Sequence, residues 1–214
     1  TCNRVDTLLE YINEGTSKGE VVKELPNLLH TIYLLSNEQI DLILEQKSSQ
    51  GIEKPLGSLR DGQTLDVGFT LLVKNALLGA SVGLGKTAVT ASIINILRTK
   101  CKEEGRPFRY LFVTANHLVH QSRRELVMFT GEYVGLTSGD QKEVSKFIKE
   151  SDELGSFEGA VVTYSAVKNF EFMRWLHNQL QGDKLTYLFV DESEVLGNPR
   201  SDIYKSMLVL RDYA

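Results

Sequence analysis

The chain has 214 residues, 42% hydrophobic and 24% charged, with four prolines and a net charge of −4. That length suits one ordinary α/β domain with an appendage and excludes two large domains, and the composition argues against disorder. No apolar run reaches membrane-spanning length, and the negative balance argues against nucleic-acid binding through a bulk positive field while leaving room for a local groove.

The chain begins at Thr1 with neither an initiator Met nor a signal-peptide pattern, and so reads as a fragment or processed product. Cys2 and Cys101 have no metal-ligand spacing around them, which argues against a disulfide framework or zinc site and suits a reducing compartment. Residues 1 to about 50 are helical in pattern. Leu8, Leu9 and Ile12 mark a first short helix, and Val22 to Leu35 a second, interrupted near Pro26. Ser36 with Gln39 forms a capping box before Ile40, Leu42, Ile43 and Leu44. Ser48 to Gly57 has linker character. The expected division is therefore a helical accessory segment over 1–54 and the main domain over 55–214.

Asn75 to Leu78 predict a strand that runs into a glycine-rich turn ending Gly85-Lys86-Thr87, and Val89, Ile93, Ile94 and Leu97 give the following segment helical spacing. A strand, a glycine turn and a helix start in that order gather backbone N–H groups and the positive helix end around one anionic site. The pattern predicts a triphosphate cradle for ATP built from Val82, Gly83, Leu84, Gly85, Lys86, Thr87 and Ala88. Lys86 reaches the outer phosphates in this reading, and the Thr87 hydroxyl is a ligand for Mg²⁺. The alternative is a chance glycine turn before a helix, which the flanking pattern makes the weaker reading.

Strand and helix then alternate. Tyr110 to Thr114 reads as strand, Leu118 to Phe129 as helix, Tyr133 to Leu136 as strand and Gln141 to Glu150 as helix. Ala160 to Thr163 follows as strand, Ala166 to Leu180 as helix and Leu185 to Val190 as strand. Repeated alternation with continuous apolar strands predicts a parallel sheet covered by helices on both faces, with ligands at the carboxyl ends of its strands. The last strand ends in Asp191-Glu192. Joined to the glycine loop, this pair predicts a second Mg²⁺ ligand, Asp191, and a group that orients and deprotonates the attacking water, Glu192; taken alone, the pair is as well explained by a helix cap or solvated turn. Trp175 falls within the apolar spacing of Val167, Phe170, Phe172 and Leu176 and is expected to pack. Arg123, Arg124 and Lys142 are expected on solvated helix faces, and His120 and His177 carry no assigned chemistry.

Ala80-x-x-Gly83-x-Gly85-Lys86-Thr87 has alanine where the strict phosphate-loop pattern has glycine, which is the form found in superfamily 2 helicases and translocases. Asp191-Glu192-Ser193-Glu194-Val195-Leu196-Gly197-Asn198-Pro199-Arg200-Ser201 resembles motif II of the SWI/SNF-type branch of that superfamily. Leu59-Arg60-Asp61-Gly62-Gln63 is similar to the motif whose glutamine contacts adenine, making Gln63 the candidate adenine reader. Leu111-Phe112-Val113-Thr114 with Gln121 and Arg124 resembles motif Ia, and Val161-Val162-Thr163-Tyr164 motif Ib. The matches are ordered and span about residues 56–214. Glu194 stands where the family usually has histidine and Gly197 where it has lysine, which puts coupling between nucleotide site and track in doubt.

The resemblance implies an α/β, RecA-like P-loop NTPase lobe with its parallel sheet sandwiched by helices, carrying a short N-terminal helical extension. It implies the first of two lobes of an ATP-dependent DNA translocase or helicase, with the second lobe supplying an arginine finger; without that lobe, ATPase activity is expected to be nearly absent. Track candidates for the phosphate backbone, preferably of duplex DNA, are Thr114, Asn116, His117, Thr163, Tyr164 and Lys168. Helix capping is an equal alternative around Asn116 and His117, as is a core role for Tyr164. An RNA helicase, a protein-remodelling ATPase and a catalytically degenerate scaffold are the other readings. A bacterial or viral cytoplasmic location is favoured, or a nuclear one if the source is eukaryotic; no membrane partner is expected.

Overall fold

The computed structural model describes residues 31–73, 76–79, 83–155, 157–180 and 184–214. The helix expected around Leu8, Leu9 and Ile12, and the part of the second before residue 31, lie outside these residues, as do Asn75, Ala80, Ser81 and Val82. The chain divides into two compact units, one running to Thr99 with Leu126–Glu132 added, the other made of Lys100–Glu125 and Tyr133–Ala214.

In the first unit, β1 (Thr31–Tyr33) pairs antiparallel with β2 (Leu56–Ser58). This corrects the helix expected to run to Leu35. Thr-Ile-Tyr is β-branched and aromatic, loses side-chain freedom in a helix and fits a pleated ladder. The capping box is formed as read: the Ser36 hydroxyl accepts from Gln39 N–H, Gln39 Oε1 accepts from Ser36 N–H, and α1 (Asn37–Gln46) buries Ile40 and Ile43. The segment with linker character is tied down at two points, since Glu132 pairs with Lys54 Nζ at 2.6 Å and accepts from the Ser49 hydroxyl. Two helices follow, α2 (Asp61–Leu72) and α3 (Lys86–Glu103), the latter belonging to this unit as far as Thr99. The strand expected at Asn75 to Leu78 is not formed over its described residues, where Leu77 is 82% exposed. Asn-Ala-Leu-Leu contains no β-branched or aromatic residue, so local preference alone does not hold it extended.

The second unit contains β3 (Tyr110–Thr114), β4 (Gly135–Thr137), α5 (Gln141–Leu154), β5 (Gly159–Thr163), α6 (Tyr164–Val167), α7 (Phe170–Leu180), β6 (Tyr187–Val190) and α8 (Asp202–Arg211); α4 (Val119–Thr130) follows β3. The strands form a parallel sheet in the order β4-β5-β3-β6. Register pairs Thr114 with Thr163 and Val113 with Val190, which brings Thr114, Thr163 and Asp191 to the same carboxyl edge. Gly159 stands opposite Tyr110, and a Cβ there would enter the Tyr110 ring. One sheet face presents Leu111, Val113, Ala160 and Val162 to a core completed by Val144, Phe147, Phe172, Leu176 and Leu210 from the helices. Trp175 packs edge-on against Phe147 and Phe157, and its Nε1–H donates to Asp152 Oδ1 at 3.2 Å. The helix expected from Ala166 to Leu180 is two helices: Asn169 Oδ1 accepts from the N–H groups of Glu171 and Phe172 and starts α7 afresh. Among the described residues, no helix is long and apolar enough to cross a membrane.

Candidate functional site

The glycine loop of the first unit is shaped by two residues that only glycine fills easily. Gly83 and Gly85 have φ of 82° and 78°, the left-handed region in which a Cβ meets the following carbonyl. Gly85 O accepts from Ala88 N–H at 3.0 Å and from Val89 N–H at 3.3 Å, so the loop passes directly into the first turn of α3 at Lys86 and Thr87. A first helical turn carries amides with no acceptor inside the helix and the positive end of its dipole, the arrangement a phosphate needs.

Gln63 faces this loop from the start of α2. Its Oε1 accepts from Arg60 N–H at 3.0 Å, while its Nε2 donates to Leu84 O at 3.1 Å and Gly85 O at 3.4 Å. Arg60 Nη2 donates to the same Leu84 carbonyl at 3.1 Å. A Cβ on Gly85 would run into Gln63 Nε2. The two side chains thus clasp the loop by its carbonyls and leave its amides to face the other way. Arg60 is a site residue that sequence reasoning missed; its place beside Gln63 was visible, its reach to residue 84 was not. Beside Leu84 lies an open groove of about 400 Å³ with a mixed polar and apolar lining, formed by Asp66, Phe69, Leu77, Leu78, Gly79 and Leu84.

In the second unit the acid pair follows β6. Val113 O accepts from Asp191 N–H at 2.8 Å, and the Thr114 hydroxyl donates to Asp191 Oδ2 at 3.3 Å. Tyr164 Oη donates to Asp191 O at 2.6 Å and lies 3.4 Å from Glu192 O. Burial, then the charges of Asp191, Glu192 and Glu194, push the Tyr164 phenol well above the usual tyrosine range, so it remains a donor. Glu192 has φ 52° and ψ 46°, a left-handed conformation that costs a non-glycine residue about 1–3 kcal/mol. A 3₁₀ turn over Ser193–Gly197 follows, with Glu194 exposed.

The nucleic-acid candidates separate into two groups. Thr114, Thr163 and Tyr164 are buried. The Thr163 hydroxyl donates to Ser138 O and accepts from Ala166 N–H at 3.2 Å, and Tyr164 packs in the core as well as bonding the acid pair. Asn116, His117 and Lys168 are exposed. Leu118 O accepts the first helical bond of α4, from Ser122 N–H, so Leu118 and not Asn116 or His117 takes the capping position. Lys142 is exposed as expected, but Arg123 is not on a solvated face. Its Nε donates to Val134 O at 2.7 Å, its guanidinium lies over the Tyr133 ring, and burial lowers its pKa.

Among the described residues, no group of three or more His, Cys, Asp or Glu side chains could hold a metal ion. Mg²⁺ with a nucleotide needs no such cage, because water and phosphate oxygens fill most of its shell and one or two protein oxygens suffice. The Thr87 hydroxyl in the first unit and the Asp191 carboxylate in the second are each, taken separately, an oxygen donor of that kind.

A family model described as type III restriction enzyme, res subunit, matches residues 44–198. Among solved structures, the chain is similar to the Sulfolobus solfataricus SWI2/SNF2 ATPase core in complex with dsDNA, at 21% identity and a TM-score of 0.51. The match covers 69% of this chain and 29% of that one, so the chain spans less than a third of that neighbour's length. At this identity the likeness shows the fold alone, a RecA-like α/β arrangement with a parallel sheet flanked by helices. A search of curated protein sequences finds no match.

Proposed function

Because the chain belongs to the res-subunit family of type III restriction enzymes, we propose that it is the ATP-binding motor lobe of a translocase or helicase that turns ATP hydrolysis into movement along DNA. The carrying observation is the loop of left-handed glycines that opens α3 under the clasp of Gln63 and Arg60, since a loop held by its carbonyls presents its amides to an anion. Lys86 adds a cation for the outer phosphates, and Gln63, bonded to the same loop, is the candidate reader of adenine. Bound Mg²⁺ would offset the charge that builds on the transferring phosphate, and Thr87 and Asp191 each carry an oxygen suited to it.

Glu192 is the proton acceptor in this reading. It takes a proton from water as the water oxygen bonds to the γ-phosphorus and the bridging bond to ADP breaks. Exposed Asn116, His117 and Lys168, near the carboxyl ends of β3 and β5, are the groups suited to phosphate contact, which grips a strand without reading its sequence. Duplex DNA is the favoured track, supported by the archaeal neighbour, which was solved with dsDNA. An arginine-bearing second lobe completes the engine, and this lobe by itself turns ATP over very slowly.

ATP binding and duplex-stimulated hydrolysis by the full-length protein test this. Lys86→Ala should lose ATP binding, whereas Glu192→Gln should bind ATP and stall. Variants indistinguishable from wild type would remove both assignments, and stimulation by RNA but not DNA would replace the track.

A further inference from the structure

The acid pair is braced from the side by a single hydroxyl. Tyr164 Oη is 2.6 Å from the Asp191 carbonyl and 3.4 Å from that of Glu192. These carbonyls belong to the two peptide groups that flank Glu192, and the orientation of those planes sets its φ and ψ. A residue with a Cβ holds φ 52° only where its surroundings impose it. Asp191 has separate supports in Val113 O and the Thr114 hydroxyl. For Glu192, the other bond to its carbonyl is the N–H of Val195 at 3.2 Å, from within the same turn.

The hydroxyl is itself rigidly placed. The Tyr164 ring is 5% exposed within the core. The helix it opens is capped by Thr163, whose hydroxyl reaches back to Ser138 O. Gly139 lies so close to the Ser165–Ala166 backbone that a Cβ there would overlap it. The loop after β4, the end of β5 and α6 therefore form one packed platform, and the phenol projects from it onto the acid pair.

We propose that Tyr164 is a positioning residue for ATP hydrolysis: its hydroxyl holds Glu192 in the left-handed conformation that aims the carboxylate, and thereby ties the carboxyl end of β5 to the chemistry. The inference rests on the reading of Glu192 as proton acceptor. Exposed Lys168 ends the short helix that Tyr164 opens, so a phosphate backbone bound there reaches Glu192 through that helix and the Tyr164 hydroxyl. Position 194, where an exposed acid stands, is bypassed.

The test is Tyr164→Phe in the full-length protein, which keeps the ring and removes the hydroxyl, combined in a cycle with Glu192→Gln. Steady-state and single-turnover ATPase are measured with and without duplex DNA, and affinity with a fluorescent ATP analogue. The expected result is a fall in kcat of about 10- to 100-fold, the size of effect that a reacting group displaced by about 1 Å produces. ATP affinity should be retained, stimulation by DNA should be lost, and Tyr164→Phe should have no further effect in the Glu192→Gln background. Wild-type kcat in Tyr164→Phe with an inactive Glu192→Gln overturns this inference alone. A fully active Glu192→Gln overturns the underlying assignment. Losses that multiply across the cycle, or a matching loss of ATP affinity, reduce Tyr164 to a packing residue and also overturn the proposal.

Discussion

Replacing Gly85 by alanine should weaken ATP binding by an amount that depends on whether Gln63 is present. Alanine at φ 78° carries a left-handed penalty of about 1–2 kcal/mol. Its Cβ also displaces Gln63 Nε2, breaking the 3.1 Å bond to Leu84 O, for about 1 kcal/mol more. Gly85→Ala therefore raises the free energy of the binding-competent loop by about 2–3 kcal/mol, a factor of about 30–150 in Kd. Gln63→Ala alone forfeits its bonds to Leu84 and Arg60, about 1–2 kcal/mol, softened because Arg60 still holds Leu84 O. In the double variant the Leu84 bond is already broken and only the bond to Arg60 remains to lose, so adding Gln63→Ala to Gly85→Ala should cost about 1 kcal/mol less than it costs the wild type. Titration of a fluorescent ATP analogue into the four proteins measures the cycle. Strictly additive losses would show that Gln63 and the loop do not touch when nucleotide binds, and the clasp would be discarded.

Thr114→Val preserves shape and removes the hydroxyl from Asp191, so ATPase should fall about fivefold with little change in thermal stability, as a kinetic assay and a melt would show. Glu194→His should increase the stimulation of ATPase by duplex DNA if an acid at this position weakens coupling; an unchanged ratio refutes that role. Trp175→Ala removes the centre of an aromatic cluster and should destabilise by about 3–5 kcal/mol in denaturant unfolding. For Glu132, burial raises the carboxyl pKa, but Lys54 and Ser49 outweigh it and the net shift is downward from 4.5. Its contribution to stability is thus complete above the unfolded value and disappears as pH falls through the lower native one. Melts of Glu132→Gln should lose that acid sensitivity.

How much of this was legible in the sequence depended on range. β3 was read to the residue because Tyr-Leu-Phe-Val-Thr is aromatic or β-branched at every position but Leu111 and needs no partner to declare its preference. Three residues of the same character at Thr31–Tyr33 were absorbed into a helical pattern, since so short a run shows no period. The break before α7 carried a local sign, Asn169 ahead of Phe170, that an apolar spacing read across it concealed. Lys86, Thr87, Asp191 and Glu192 could be picked out by motif. The Gln63 clasp and the Tyr164 brace could not, because each joins residues more than 20 positions apart. Arg123 was misjudged because a helix position facing a neighbouring carbonyl has the same spacing as one facing water.

The chain contains a single tryptophan, and Trp175 sits in the core of the second unit, with its indole N–H fastened to Asp152. Intrinsic tryptophan fluorescence is therefore a reporter for that unit alone, while circular dichroism sums the helices of both. Comparing the two signals during denaturation asks whether the glycine loop and the acid pair reside in one cooperative folding unit or in two. If the curves coincide, ATP that binds the loop should delay the fluorescence change as much as the loss of ellipticity. Curves that separate would mean that nucleotide can stiffen one unit and leave the other to melt on its own, with the lone indole recording the difference.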